Sequence, residues 1–174
     1  DNGDAAYIID ASPSIGTTLT AFQILNDPDG NGSANITWST SADGVNWSNA
    51  DDGSVFTISP QLEGMRLKVD ISYTDGQGFE EFLKSDPQFI PYVDDGDAVY
   101  AINGTPDVGQ QLTISQIADD PDGKGSVDIT WQSSADGENW IKRSNSEALV
   151  IENDLSGLQL NAVLQYTDAQ GFKE

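Results

Sequence analysis

Acidic residues gather in three short segments of the chain, and the same three segments return in its second half. The first set is DNGD at 1–4, NDPDGNG at 26–32 and YTDGQG at 73–78; the second is DDGD at 94–97, DDPDGKG at 119–125 and YTDAQG at 166–171. Grouped carboxylates are hard oxygen ligands of the kind that calcium prefers. The candidate metal ligands are Asp1, Asp4, Asp27, Asp29 and Asp75 in the first set and Asp94, Asp95, Asp97, Asp120, Asp122 and Asp168 in the second.

Composition narrows the chemistry that these segments could perform. The 174 residues include no cysteine and no histidine, which excludes disulfides, thiolate metal sites and cysteine catalysis and removes the commonest transition-metal ligand. The formal net charge of −22 repels nucleic acid and anionic membranes. No apolar run approaches the ~18 residues of a membrane helix. We therefore expect neither nucleic acid nor membrane insertion, although the charge by itself is equally explained by solubility.

An internal duplication organises the chain. Residues 1–81 align with 94–174 without a gap, and about 38 of 81 positions are identical. Such a repeat predicts two copies of one domain, at 1–93 and 94–174. The segment 82–93, FLKSDPQFIPYV, which contains the end of the last strand and the linker, has no counterpart in the second copy. We expect the second domain to be without its last strand here, and the natural protein to continue past Glu174.

The elements that must position the aspartates are short β-strands. In RLKVDISYT, Leu67, Val69, Ile71 and Tyr73 alternate with polar residues, which is typical of a half-buried strand. SADG is a hairpin turn between ITWST and VNWS, and FEEFLKS is the last strand. Seven short strands in each copy, with Trp38 or Trp131 on the third, predict an all-β protein of two tandem immunoglobulin-like β-sandwich domains.

That topology places the acidic segments together. Strands of a seven-strand sandwich alternate in direction, so the second-to-third loop, the sixth-to-seventh loop and the start of the first strand share one pole. Four or more carboxylates there repel one another unless a cation neutralises them. We therefore predict calcium at this pole of each domain. The ion of the second domain is expected to fix the interdomain angle, and Glu63 of the first domain is expected to complete the ligand shell of that ion. The alternative is that the aspartates only form turns.

Two other interpretations of these motifs are an EF-hand loop and a platform that stacks on sugars. DPDGNG matches the first half of an EF-hand loop, but position 12 is Trp38, Lys124 stands at position 5 of the second copy, and flanking helices are absent; we reject it. Because Lys124 replaces Asn31, that side chain is not an essential ligand. Trp47 and Trp140 are expected to pack over the sandwich edge, with an exposed platform that stacks on sugars as the alternative.

The segments PSIGTTLTA at 13–21, ITWSTSADGVNW at 36–47 and LEGMRLKVDISYTD at 62–75 resemble the bacterial immunoglobulin-like tandem repeats of giant secreted and surface proteins of the adhesin type. The resemblance covers nearly the whole chain. It implies a non-enzymatic spacer, often stiffened by calcium, that is extracellular or at the cell surface and contacts neighbouring repeats. The alternative is a carbohydrate- or protein-binding module that takes a cell-surface glycan or protein. An enzyme is not expected, because the paired carboxylates lie in duplicated turn loops.

Overall fold

The structure is a computed structural model that describes residues 1–174. It is all-β apart from two single 3-10 turns, and no helix in it is long and apolar enough to cross a membrane. The chain divides into two compact units, Asp1–Val93 (unit 1) and Asp94–Glu174 (unit 2).

Unit 1 consists of two antiparallel sheets. Its strands are β1 (Ala6–Ile9), β2 (Thr18–Leu25), β3 (Asn35–Ser41), β4 (Ser48–Asp52), β5 (Val55–Thr57), β6 (Arg66–Thr74), β7 (Glu80–Lys84) and β8 (Gln88–Phe89), with a 3-10 turn at Pro60–Leu62. One sheet has the order β1-β2-β5. The other has the order β4-β3-β6-β7, and β8 pairs with β6 as well. The chain changes sheet between β2 and β3 and again on either side of β5.

The core of unit 1 draws on both sheets, which is consistent with a β-sandwich. Leu19 and Phe56 of the first sheet lie in one buried cluster with Trp38 and Val69 of the second. The ring of Trp38 is fully buried and stacks on Phe56 at 5.4 Å between centroids, while its Nε1–H donates to the carbonyl of Gly53 at 2.9 Å. The predicted alternation along β6 is confirmed, since its four apolar positions are all buried.

Two strand boundaries differ from the prediction. The hairpin after SADG returns as β4 at Ser48–Asp52, so Trp47 precedes the strand and does not lie within it. The last strand is interrupted after Lys84 and resumes as β8, after which Ile90 is fully buried in the core. Part of the segment predicted as linker therefore belongs to the packing of unit 1, because the backbone of Ile90 bonds to Met65 and Gly64 alongside β6.

Unit 2 repeats the arrangement with fewer strands. Its elements are β9 (Val99–Asn103), β10 (Gln111–Ala118), β11 (Asp128–Ser134), β12 (Ile141–Ser144), β13 (Ala148–Val150), a 3-10 turn at Asn153–Leu155, and β14 (Gln159–Gln165). The sheets are β13-β10-β9 and β12-β11-β14. Leu112, Trp131 and Ile151 centre its core.

The strand β14 has less cover than its counterpart β6. In unit 1, β7 and β8 pair beside β6, and Leu67 and Val69 are buried in one cluster with Ile90. The matching Leu160 and Ala162 of unit 2 are half-buried. β14 pairs with β11 alone, while β6 pairs with β3, β7 and β8. One edge of β14 thus lacks a strand along most of its length.

Candidate metal centres

Three buried carboxylates meet at one pole of unit 1. Asp27 and Asp29 lie in the loop between β2 and β3, and Asp75 lies in the loop between β6 and β7. One carboxylate oxygen from each residue lies within 4.8 Å of those from the other two, and all three residues are buried. We call this set the inner triad of unit 1. The inner triad of unit 2 is Asp120, Asp122 and Asp168, at the same positions of the repeat and with the same spacing and burial.

The two loops are held together by a close backbone approach. The N–H of Gly76 donates to the carbonyl of Gly30 at 2.9 Å, and Gly30 adopts a φ of 105° that favours glycine. A Cβ at Gly32 would lie 1.9 Å from the carbonyl oxygen of Thr74. Gly125 of unit 2 faces Thr167 in the same way, at 2.5 Å. Glycine at this position is required because any side chain would push the two acidic loops apart.

Hydrogen bonds fix the orientation of Asp29. Its Oδ1 accepts from the side-chain amides of Asn2 at 2.7 Å and Gln77 at 2.8 Å, and its Oδ2 accepts from the backbone N–H of Asn2 at 2.6 Å. The side-chain bond from Asn2 is the main cause that lowers the pKa of Asp29 below its usual value. In unit 2, Gln170 donates to Asp122 at 2.9 Å and the backbone N–H of Asp95 donates to it at 2.7 Å.

A buried tyrosine links the inner triad to the first strand. The hydroxyl of Tyr73 donates to Oδ2 of Asp27 at 2.7 Å and accepts the backbone N–H of Ala5 at 2.7 Å. Burial is the main cause that raises the pKa of Tyr73 to about 12, and the negative charge of Asp27 adds to it. Tyr166 of unit 2 makes the same two bonds, to Asp120 at 2.6 Å and from Ala98 at 2.7 Å. Both phenols therefore stay protonated and hold one aspartate of each triad in place.

The third aspartate of the inner triad of unit 1, Asp75, keeps one carboxylate oxygen without a hydrogen bond. Oδ1 of Asp75 accepts the backbone N–H groups of Gln77 at 2.9 Å and Phe79 at 2.7 Å, while its Oδ2 is buried and has no hydrogen-bond partner. Asp75 is only 7% exposed. A buried acceptor without a donor costs roughly 1–3 kcal/mol, a cost that a cation placed among the three carboxylates would offset.

No lysine or arginine neutralises the inner triads. The ion pairs of the chain join Lys68 to Asp70, Arg143 to Asp154, and the amino group of Asp1 to Asp29 at 3.9 Å. The inner triad of unit 2 has no ion pair at all. Calcium binds oxygens at 2.3–2.6 Å, so ligands on opposite sides of one ion lie about 4.6–5.2 Å apart. The residues present fit such an ion in spacing, in donor chemistry and in their need for positive charge.

A second group of carboxylates adjoins the inner triad of unit 1. Asp1, Asp4 and Glu81 each bring one carboxylate oxygen within 4.8 Å of the others, and we call them the outer triad. Asp1 and Asp4 are exposed, whereas Glu81, on β7 directly opposite Tyr73, is buried. Burial is the main cause that raises the pKa of Glu81, followed by the neighbouring Asp4.

The matching residues of unit 2 are Asp94, Asp97 and Glu174. A hydrogen bond with Asp97 is the main cause that raises the pKa of Glu174 to about 7, and burial adds to it. Asp95 matches Asn2 and contributes its backbone N–H to Asp122, while its own side chain is exposed.

Other residues considered as ligands have different contacts. Asn31 accepts the backbone N–H of Asp27 at 2.8 Å and so closes its own loop, and Lys124 at that position donates to Gln116. Glu63 accepts the backbone N–H of Val93 at 2.5 Å. Asp43 of the SADG hairpin accepts four bonds within its turn, one each from Ser41 and Val45 and two from Asn46, and the backbone bonds are the main cause that lowers its pKa. Turn formation accounts for Asp43 and for Asp136 in the second copy.

The edge tryptophans are half-buried. In unit 1 the Nζ of Lys68 lies 5.1 Å from the centroid of the Trp47 ring, so one face of that ring is covered by a cation. Trp140 at the matching position is also half-buried.

Sequence reasoning missed Glu81, Glu174, Gln77, Gln170 and the role of the two tyrosines. The repeat contains a signal for these residues, because both copies have the same residues at their positions. The identical residues are YTD, QGF and the glutamate at 81 and 174. No family model matches the chain, and no curated protein matches it at a significant level.

Proposed function

We propose that the chain is a non-enzymatic structural module: a pair of immunoglobulin-like repeats that acts as an extracellular spacer and is stiffened by calcium held in the inner triads. The observation that carries the proposal is the convergence of three buried carboxylates in each unit with no positively charged side chain to pair with them. A divalent cation with oxygen ligands meets that need.

The choice of calcium rests on the donor set. Each inner triad offers carboxylate oxygens only, and the chain has no cysteine or histidine with which to select a transition metal. Calcium accepts loose geometry and several carboxylates, whereas magnesium prefers strict octahedral geometry at 2.0–2.1 Å and keeps most of its waters. Buried carboxylates fixed by backbone and amide donors favour the larger ion.

The immunoglobulin-like assignment is supported by strand order. Unit 1 combines a β1-β2-β5 sheet with a β4-β3-β6-β7 sheet, and a buried tryptophan lies on its third strand. Immunoglobulin-like sandwiches share the pairing of the first, second and fifth strands against the third, sixth and seventh. The resemblance to bacterial surface repeats supports the extracellular location and the tandem use of the domain.

Calcium would stiffen each unit because the residues at its inner triad come from separate segments of the chain. Each inner triad joins two loops of its unit, and Asn2 or Asp95 ties the segment before the first strand to the same site. A bound ion would therefore order the start of unit 2 immediately after the segment that connects the units. A chain held in this way loses less reach to conformational entropy than a flexible tether.

Rigidity can be measured directly because the chain contains no native cysteine. Val45→Cys and Glu138→Cys, at exposed hairpin positions of units 1 and 2, accept a fluorophore pair for single-molecule energy transfer. We expect calcium to narrow the distribution of distances between the labels. The control is the same labelled chain with Asp120→Asn, Asp122→Asn and Asp168→Asn, in which calcium should cause no narrowing. Equal widths with calcium and with EGTA in the parent chain would contradict the stiffened-spacer proposal.

A further inference from the structure

Strand β14 of unit 2 presents one unpaired edge. Its other edge pairs with β11 along the whole strand. On the unpaired side, pairing is confined to Tyr166 and Thr167, just beyond the strand, which lie opposite Glu174 and Lys173. No strand lies on that side from Gln159 to Gln165. A row of unpaired backbone N–H and C=O groups is a template on which a further strand can pair.

Unit 1 shows what covers this edge of the repeat. On the matching side of β6, the N–H of Ser85 donates to the carbonyl of Val69 at 2.9 Å, directly after β7. The N–H of Val69 in turn donates to Oγ of Ser85 at 2.9 Å. After β8, the N–H of Ile90 donates to the carbonyl of Met65 at 2.8 Å, and its carbonyl accepts the N–H of Gly64 at 3.1 Å. One extended segment thus follows β6 from end to end.

The same segment of unit 1 also completes the core. Ile90 is fully buried, and Leu83 packs against the same cluster. The inward-facing residues of β6 are buried, whereas their matches on β14 are only half-buried; the matches are Leu160, Ala162 and Leu164. A Cβ at Gly64 would lie 2.4 Å from the ring of Tyr92, whereas one at the matching Gly157 would have no atom within 4 Å. The surface beside β14 is therefore apolar and open where unit 1 is filled.

We propose that this edge of unit 2 binds an extended segment of a neighbouring repeat, with the residue pattern that covers β6 in unit 1. That pattern is FLKSDPQFI at 82–90, with apolar side chains at Leu83 and Ile90 and a hydroxyl at Ser85. The segment adds a strand to the β12-β11-β14 sheet, so main-chain hydrogen bonds supply affinity and the two apolar side chains supply specificity. The inference rests on the proposed tandem arrangement of repeats and does not depend on calcium.

Charge favours such a segment over a second copy of the chain. Residues 82–93 carry one lysine and one aspartate, so they add no net charge to an acidic surface. Two whole chains that paired through their β14 edges would each bring a formal charge of −22. They would also supply no residue at the position of Ile90.

The experiment adds a synthetic peptide of residues 82–93 to the full chain and measures binding by isothermal titration calorimetry. The peptide begins at Phe82, so it does not compete with Lys173 and Glu174 for the edge. We expect one peptide per chain and a higher unfolding temperature for unit 2 alone. Hydrogen exchange should become slower at Leu160, Ala162 and Leu164 and stay unchanged along β6.

Two matched pairs of variants test the register. N-methylation of Ser85 in the peptide removes the N–H that bonds to Val69 in unit 1 and should abolish binding. N-methylation of Lys84 should not, because successive N–H groups of an antiparallel strand point to opposite edges. Val163 matches Asp70, which lies opposite Lys84 in unit 1. Val163→Asp should therefore strengthen binding and Val163→Lys weaken it, each by about 2- to 5-fold.

Three results would overturn the inference. The first is an absence of binding, and the second is binding that leaves hydrogen exchange along β14 unchanged. The third is exchange along β14 that slows as the chain concentration rises and does not respond to the peptide, because a second copy would then be the occupant. None of these results bears on the inner triads, whose test is the unfolding temperature in calcium and in EGTA.

Discussion

Tyr73→Phe tests how the inner triad is joined to the rest of unit 1. The hydroxyl of Tyr73 makes two hydrogen bonds of 2.7 Å, and both partners, Asp27 and Ala5, are buried. A bond to a charged acceptor contributes about 1.5–3 kcal/mol, and leaving a buried N–H unsatisfied costs roughly 1–3 kcal/mol. Because the two effects share one hydroxyl and are not additive, we expect unit 1 to lose about 2–4 kcal/mol.

Differential scanning calorimetry of the full chain in EGTA should show this loss. For a domain of this size, 1 kcal/mol lowers the unfolding temperature by about 4–8 °C, so one transition should fall by about 10 °C or more. The second transition should stay where it is, and Tyr166→Phe should reverse the pattern. Tyr7→Phe is the control, because the Tyr7 hydroxyl makes no hydrogen bond although its ring lies 6.5 Å from that of Tyr73.

A shift for Tyr73→Phe no larger than that for Tyr7→Phe would refute the reasoning. It would mean that the Asp27 carboxylate and the Ala5 N–H find other partners at no cost. The loops of the inner triad would then be held by the backbone approach at Gly30 and Gly76 and by the bond from Gln77 to Asp29.

Three further outcomes are expected. Gly32→Ala places a Cβ against the carbonyl of Thr74, so urea denaturation should show the free energy of unfolding of unit 1 lowered by about 1–3 kcal/mol. An unchanged urea midpoint would argue against the close approach of the two loops. The pKa of Tyr73 and that of Tyr166 are raised from 10.0 to about 12, so the folded state favours the protonated phenol. The resulting stabilisation is complete below pH 10 and is lost as the pH rises through 12. Ultraviolet titration should therefore find two tyrosines that ionise only near pH 12. The N–H of Val69 donates to Ser85 at 2.9 Å, on the edge of β6 away from β3. The matching edge of β14, away from β11, has no strand, so hydrogen exchange should be faster at Ala162 than at Val69; equal protection would show that another group covers that edge.

The convergence of the acidic loops could be predicted from topology alone. Alternating strand direction places the loop of Asp27 and Asp29 at the same pole as the loop of Asp75, whatever the side-chain details, and the structure brings these residues together. The sequence does not indicate how close the backbones come. The need for glycine at 32 arises from the carbonyl of Thr74, a contact between residues far apart in the chain.

The buried glutamate is a different case. FEEFLK contains two adjacent glutamates, and strand alternation leaves open which of Glu80 and Glu81 faces inward. The repeat resolves this, because position 80 becomes Lys173 in the second copy while position 81 stays glutamate as Glu174. Comparing the two copies at each position, in addition to each strand by itself, identifies Glu81 as the constrained residue.

Other differences come from tertiary packing. The sequence predicts the end of the last strand followed by a linker at 82–93, yet the apolar Ile90 in that linker fills the core beside β6. Asp95 resembles its acidic neighbours in sequence, but its copy in unit 1 is Asn2, and both residues supply a backbone N–H to the inner triad. At Asn2 and Asp95 the residue type alone does not determine whether the backbone or the side chain makes the contact.

The central claim is that the inner triads bind calcium and that this stabilises the folded units. The most direct measurement is thermal unfolding of the full chain in excess EGTA, in millimolar calcium and in millimolar magnesium. A ligand that binds only the folded state adds about 2.7 kcal/mol at a hundredfold excess over Kd, so calcium should raise both transitions and magnesium should raise them less. With Asp120→Asn, Asp122→Asn and Asp168→Asn, only the transition of unit 1 should still respond. Transitions that are identical in EGTA and in calcium would contradict the account.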